Sequence, residues 1–253
     1  MVNDPPRFSG PIPDYYDRCM GPHLFEPYAI DVAARVPAGG RVLELACGTG
    51  RLTRHLVARG LDVLATDLHE PMLAVARERA PGASFQVADL SSLPFPSFNF
   101  DAVVCQFGLM FVPDKALAIR EMRRVLRSGG VAIVSVWDHL ANNPASELLH
   151  ELARSRFPGA EFMGVPFSLG DIDQLRALFG PDATIETVAK TGESTDAMEL
   201  ATGFVRGNPL WNQLVEAGVD AEAFVQTIAE RLAARFGDQP LRTPLSAHVI
   251  TTH

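Results

Sequence analysis

A glycine-rich turn and two aspartates carry the residue types that could do chemistry in this chain. Glu44-Leu45-Ala46-Cys47-Gly48-Thr49-Gly50 follows directly on the apolar run Arg41 to Leu45. Glycines at such a turn allow a tight reversal and let a ligand approach the backbone, with a helix N-terminus behind it. Asp67 lies seventeen residues after Gly50, close to the spacing at which a carboxylate grips ribose hydroxyls. Asp89 ends the next apolar stretch, where it could accept a hydrogen bond from an adenine amino group. A dinucleotide fingerprint needs a third glycine where this chain has Thr53, so a pyrophosphate would lose its closest helix–strand packing. Either aspartate alone would serve equally well as a helix cap or loop acid. With the turn, the pair points to a nucleoside-bearing ligand other than NAD.

Holding these groups together requires strands that alternate with helices. Arg41 to Leu45, Leu61 to Thr66, Ala83 to Ala88, Asp101 to Gln106 and Val131 to Trp137 read as strands. Helices are predicted at Arg51 to Arg59, at Pro71 to Ala80 with proline in its favoured first turn, and at Lys115 to Leu126 before Gly129-Gly130. Strands joined by helices imply right-handed crossovers and a parallel sheet. Ligands of such sheets bind beyond the carboxyl ends of the strands, where the strand order reverses. Further helices are predicted at Pro144 to Phe157, Asp171 to Phe179 and Ala221 to Phe236, and two more strands at Ala183 to Lys190 and Leu245 to Thr252. The fold class is therefore α/β: a doubly wound, mostly parallel seven-stranded sheet.

The stretches VLELACGTGRLTRHLV, ATDLHEPMLAVARERA, VADLSSLPFPSFNFDAVVCQFGLMFVPD and ALAIREMRRVLRSGGVAIVSVWD follow one another without a gap between about 41 and 138. They resemble the consecutive motifs of class I S-adenosylmethionine-dependent methyltransferases, in the branch of the ubiquinone and menaquinone C-methyltransferases and many small-molecule enzymes. The resemblance implies a Rossmann-like methyltransferase fold, with S-adenosylmethionine as cofactor and S-adenosylhomocysteine as product. It implies that Glu44 faces the methionine ammonium and that backbone at Ala46, Cys47, Gly48 and Gly50 wraps the methionine end and ribose. Asp67 would take both ribose hydroxyls, Leu68 and Met72 would flank the adenine, and Asp89 with the Leu90 backbone would read its edge. Gln106 would lie under the sulfonium. The segment PDYYDRCMGPHLFEPYA also resembles this branch, which makes Tyr16 and Phe25 the aromatics that close over the cofactor. In domain terms the chain reads as one unit over 1–253, with an N-terminal cover at 1–35, a cofactor-binding core at 36–138 and lid helices with the last two strands at 139–253.

The expected reaction is transfer of a methyl group from S-adenosylmethionine to a carbon, oxygen or nitrogen of a small, partly apolar organic molecule. Alternatives keep the fold and cofactor but act on protein or RNA, or bind the cofactor without methylating. A sulfonium is already activated, so a general base is needed only for a nucleophile that keeps its proton. His139, after the fifth strand, and His23, in the cover, are the candidate bases. Phe107, Met110, Phe111, Trp137, Phe162, Met163, Phe167, Phe204 and Trp211 read either as the lid's own core or as lining for an apolar acceptor. Arg206 is a candidate anchor for a substrate anion.

The chain has 253 residues, 47% apolar and 21% charged, and its 22 basic and 30 acidic residues give a net −8. That balance argues against a nucleic-acid partner. Arg120, Arg123, Arg124 and Arg127 read as the solvated face of a helix. Three cysteines without a C-x-x-C pair, and histidines without metal-ligand spacing, argue against a disulfide framework and a metal site. No signal-peptide pattern or membrane-length apolar run stands out, so a cytoplasmic protein is expected, with a homodimer left open. The stretch Asn3 to Pro6 matches the N/D-P-P motif of amino-group methyltransferases out of place and reads as coincidence.

Overall fold

A computed structural model describes residues 10–156 and 160–253. The Asn3 to Pro6 stretch and Phe157 lie outside the described residues. Seven strands form one sheet in the order β3-β2-β1-β4-β5-β7-β6. β1 (Arg41–Leu45), β2 (Asp62–Asp67), β3 (Ser84–Val87), β4 (Phe100–Gln106) and β5 (Leu126–Trp137) run parallel. β6 (Thr184–Ser194) and β7 (Leu241–Thr252) complete the sheet, with β7 antiparallel to both neighbours. The chain leaves β1 towards β3 and returns to build β4 on the other side. The strand order therefore reverses between β1 and β4.

The parallel strands are apolar because both faces are covered; Ala102 to Cys105 are all buried. On one face α2 (Glu26–Arg35), α3 (Arg51–Ala58) and α4 (Glu70–Arg79) pack Val32, Leu56 and Leu73 against Val42, Val104 and Ile133. α5 (Lys115–Val125) crosses the other face; Asp114 caps it, accepting from the Leu117 N–H at 2.8 Å. Five more helices follow: α6 (Pro144–Arg156) and α10 (Ala221–Phe236) pack on β7 and on each other, α7 (Ile172–Phe179) packs beside α5 and β6, α8 (Ala197–Arg206) packs on α10 and β6, and α9 (Leu210–Glu216) joins α8 to α10.

The N-terminal segment is the unusual element. A short α1 (Ile12–Tyr15) runs into a ten-residue wide helix, Tyr16–Phe25, and then into α2. At its end the Glu26 N–H donates to the Gly21 carbonyl, five residues back. Helices of this pitch are rare and gather at functional sites.

The structure corrects several expectations. α5 ends at Val125, not before Gly129, because Leu126 turns extended and pairs with Phe100. Residues 127–130 then bulge, with Gly129 at φ +76°, before Val131 pairs with Ala102. Arg120, Arg123 and Arg127 are exposed, as a solvated face requires, and three of the four arginines are tied down as well. Arg124 bonds Glu121 and the Leu93 and Phe95 carbonyls, Arg123 bonds the Phe179 carbonyl, and Arg127 pairs with Asp101 beyond the helix. α8 and α9 were not anticipated.

Candidate functional site

The turn after β1 is built from left-handed backbone. Ala46, Gly48 and Gly50 have φ of +51°, +55° and +78°. Gly50 caps α3 and sits so close to α4 that a Cβ would lie 3.0 Å from Ala76. The Gly48 N–H donates to Asp67 Oδ2 at 2.9 Å, and Asp67 Oδ1 accepts from the His69 N–H at 2.9 Å. The turn after β4 is strained as well. Phe107 has φ +55°, an outlier for a bulky side chain of the kind found at functional sites. Its N–H is held by the Ser135 carbonyl at 2.9 Å. A Cβ on Gly108 would overlap Ala46, so the two turns touch where the strand order reverses.

Between them lies a cavity of about 30 Å³, lined by Tyr16, Phe25, Glu44, Ala46, Cys47, Gly48 and Gln106, together with Thr49, Arg51 and Leu52. Glu44 is 1% exposed, and its Oε2 has no hydrogen-bond partner among the described residues. Burial pushes its carboxyl up to about 8. The Gln106 side-chain amide donates to the Phe25 carbonyl at 3.1 Å, while its buried Oε1 is unpartnered among the described residues. Tyr16 stacks on Phe25 with ring centroids 4.9 Å apart. Buried polar groups left unsatisfied are rare and costly. Two acceptors without a partner among the described residues, on side chains that line one cavity, fit a ligand that brings positive charge and donors, as the methionine end of S-adenosylmethionine does.

The remaining expected cofactor residues extend outward from this cavity. Asp67 is linked to it through Gly48, and buried Met72 places its Cε 3.7 Å from the point a Gly48 Cβ would occupy. Leu68 and Asp89 are exposed at the ends of β2 and β3, Leu90 is buried, and none of the three lines the cavity. Asp89 Oδ1 accepts from the Ser91 N–H at 2.7 Å.

Neither histidine candidate reaches the cavity. His23 is fully buried, with Nδ1 2.9 Å from Ser194 Oγ and Nε2 2.8 Å from Thr243 Oγ1; burial pushes it down to about 4. With both nitrogens engaged, it ties the wide N-terminal helix to β6 and β7. His139 is exposed and lines a separate cleft of about 510 Å³ with Asp138, Asp171, Arg176 and His248. There burial works against the Asp138 carboxylate, but Ser246, the His139 amide, Asn142 and His248 hold it below the usual range. Arg206 is already engaged, stacked 4.0 Å over Trp211 and paired with Glu222. Phe107 and Trp137 stack at 3.9 Å, with Tyr28 edge-on to both and Phe25 beside them. Met110 and Phe204 are buried in the core. Among the described residues no three His, Cys, Asp or Glu side chains are grouped to hold a metal, and no helix is long and apolar enough to cross a membrane.

Sequence reasoning missed Asp17, Thr49, Arg51 and Arg79. The Thr49 hydroxyl donates to Asp17 Oδ1 at 2.8 Å, Arg79 pairs with both Asp17 oxygens, and Arg51 joins Asp17 to Glu26. Their separations, 32 residues for Thr49–Asp17 and 62 for Arg79–Asp17, leave no local signal.

Residues 43–134 match the model of a methyltransferase domain family. A ubiquinone/menaquinone biosynthesis C-methyltransferase of Shewanella frigidimarina is 37% identical over 212 residues, covering 80% of this chain and 73% of that protein. The chain belongs to the class I S-adenosylmethionine-dependent methyltransferases. Another methyltransferase, the demethylmenaquinone enzyme of Renibacterium salmoninarum, is 36% identical over 129 residues, 51% of this chain. That alignment and one to a C-methyltransferase of Pseudomonas fluorescens span about half of each relative, 54% and 46%. Two solved structures share the fold. The YcgJ protein of Bacillus subtilis has a TM-score of 0.58 at 20% identity, covering 89% of this chain and 97% of that one. Phosphoethanolamine N-methyltransferase 2 of Haemonchus contortus has a TM-score of 0.58 at 16% identity, covering 94% of this methyltransferase and 56% of that chain.

Proposed function

We propose that this methyltransferase moves the methyl group of S-adenosylmethionine to a carbon, oxygen or nitrogen of a small, partly apolar organic molecule. The observation that carries the reading is the pair of buried, unpartnered acceptors, Glu44 Oε2 and Gln106 Oε1, at the point where the strand order reverses. When bound, the cofactor supplies a methyl already activated by its sulfonium. The protein's task is then alignment and exclusion of water.

In this reading Glu44 holds the ammonium and Gln106 Oε1 faces the sulfonium. Backbone at Ala46, Cys47, Gly48 and Gly50 cradles the methionine end, and Asp67 takes the ribose hydroxyls. Leu68 and Met72 flank the adenine, whose edge Asp89 and the Leu90 backbone read. Tyr16 and Phe25 shut water out. The Phe107–Trp137 stack, reached past Phe25, supplies an apolar wall for the acceptor. Relatives named for ubiquinone and menaquinone biosynthesis make a quinone precursor the first acceptor to try. No base is assigned, because His23 is saturated and His139 faces the other cleft.

The chain acts as one unit in this reading, with 1–35 as cover, 36–138 as cofactor core and 139–253 as lid helices and last strands. Its net charge of −8 supports a partner other than nucleic acid. Three free thiols suit a reducing cytoplasm.

The test is transfer of isotopically labelled methyl from S-adenosylmethionine into a cell extract, sorted by size after nuclease and protease treatment. Label in a small organic fraction is expected. Label confined to macromolecules, or none despite proven cofactor binding, overturns the reading.

A further inference from the structure

Each aromatic that lines the cavity is followed in sequence by an acid that anchors it. Tyr16 precedes Asp17 and Phe25 precedes Glu26. Glu26 accepts from Arg51 at 3.1 Å, from Arg54 and from His55 at 2.8 Å, and His23 is fixed to β6 and β7. The Phe25 end is therefore a fixed end. The Tyr16 end packs against α8, where a Cβ at Gly207 would lie 3.0 Å from the Tyr16 Cα, and its remaining tie is one of charge. Asp17 meets Arg79 through both carboxylate oxygens, lies 3.3 Å from Arg51, and accepts from the Thr49 hydroxyl of the glycine-rich turn. Gly21 allows this, since a Cβ there would overlap the Arg51 guanidinium.

The space between Tyr16, Phe25 and the glycine-rich turn, about 30 Å³, admits a water or two. Sites for ligands of cofactor size enclose roughly 300–1,000 Å³. The connecting wide helix, a rare and weakly bonded form, is a natural place for a hinge.

We propose that Asp17 is the latch of a flap: its ion pairs with Arg79 and Arg51 hold Tyr16 over the cavity, and S-adenosylmethionine enters and leaves when they open. This rests on the reading that the cavity takes that cofactor. The Arg51, Asp17 and Arg79 side chains are 12%, 15% and 19% exposed. Such pairs are stronger than surface ones, yet salt still reaches them.

The test measures association and dissociation of labelled S-adenosylhomocysteine on the full chain. A latch slows both directions, whereas a contact made only in the bound state slows dissociation alone. Asp17→Asn should raise both rates about tenfold or more, with Asp17→Glu restoring part of the slow exchange. Raising KCl from about 50 to about 500 mM should speed the wild type and leave Asp17→Asn unmoved. Unchanged rates, or a rise in dissociation alone, overturn the latch. If Asp17→Asn does not fold, amide hydrogen exchange of the wild type decides. Exchange at 16–20 should quicken with salt and slow with S-adenosylhomocysteine; salt-independent exchange overturns the latch. Failure of the wild type to bind S-adenosylhomocysteine refutes the functional reading instead, and the salt response still judges the latch.

Discussion

Changing pH alone tests the role given to Glu44. Burial holds its carboxyl near 8, so at neutral pH the ligand-free protein carries it mostly protonated. The methionine ammonium needs the carboxylate, and binding must therefore release a proton. With a pKa of about 8, roughly one molecule in eleven is ionised at pH 7 and one in a hundred at pH 6. Affinity for S-adenosylhomocysteine should fall about tenfold, or about 1.4 kcal/mol, for each pH unit below 7. The ligand's own amine stays protonated in that range, so the slope belongs to the protein. Calorimetry at pH 6.5 in two buffers of different ionisation enthalpy should show close to one proton released in the wild type and none in Glu44→Gln. A flat affinity between about pH 5.5 and 7, with no proton exchanged, would refute the assignment. The same shift acts on stability. Because the folded pKa lies above the ordinary 4.5, the folded state binds the extra proton. Stability is full below about 4.5 and drains away as pH rises through about 8, by at most about 5 kcal/mol. Glu44→Gln should remove that decline.

Three further outcomes are expected. Asp67→Ala should lower S-adenosylmethionine affinity at least a hundredfold, from lost charge-assisted bonds to the ribose and lost order at Gly48, with circular dichroism unchanged; unaltered affinity in equilibrium dialysis would sink the ribose assignment. His23 has a folded pKa near 4, below the ordinary 6.5, so its contribution of about 3 kcal/mol is present above 6.5 and lost as pH falls through 4. Urea midpoints should show that fall, and His23→Phe should cost about 1–3 kcal/mol by orphaning Ser194 and Thr243 while leaving cofactor affinity within about threefold. Millimolar chelator should leave methyl transfer unchanged; complete loss in the labelled-methyl assay would reveal a metal the site reading omits.

The parallel half of the fold was legible because its signals are local. Apolar runs end at Leu45 and Gln106, Gly48 and Gly50 mark the turn, and Pro71 opens α4. Boundaries failed where tertiary pairing overrode propensity, as at Leu126, which leaves a helical pattern to join Phe100. Pro22 and Gly21 disguised the wide helix, whose pitch no heptad-like pattern announces. The histidines could not be judged from sequence. The partners of His23 lie 171 and 220 residues away, and only the folded chain shows that both nitrogens are taken.

β7 is the last strand in chain order, yet it lies inside the sheet between β5 and β6. A nascent chain can zip β1 to β5 through short crossovers as it emerges, but until β7 arrives the apolar run Val131 to Trp137 presents an open edge to any extended neighbour. Among the described residues β6 pairs with β7 alone, and both supply the hydroxyls that grip His23. The His23 anchor of the N-terminal segment thus waits on the C-terminal strand. A chain stalled or clipped before Leu241 keeps its glycine turn and the ion pairs of Asp17 and Glu26 but loses the Thr243 hydroxyl that holds His23, so the segment over the cofactor site is seated at one anchor fewer.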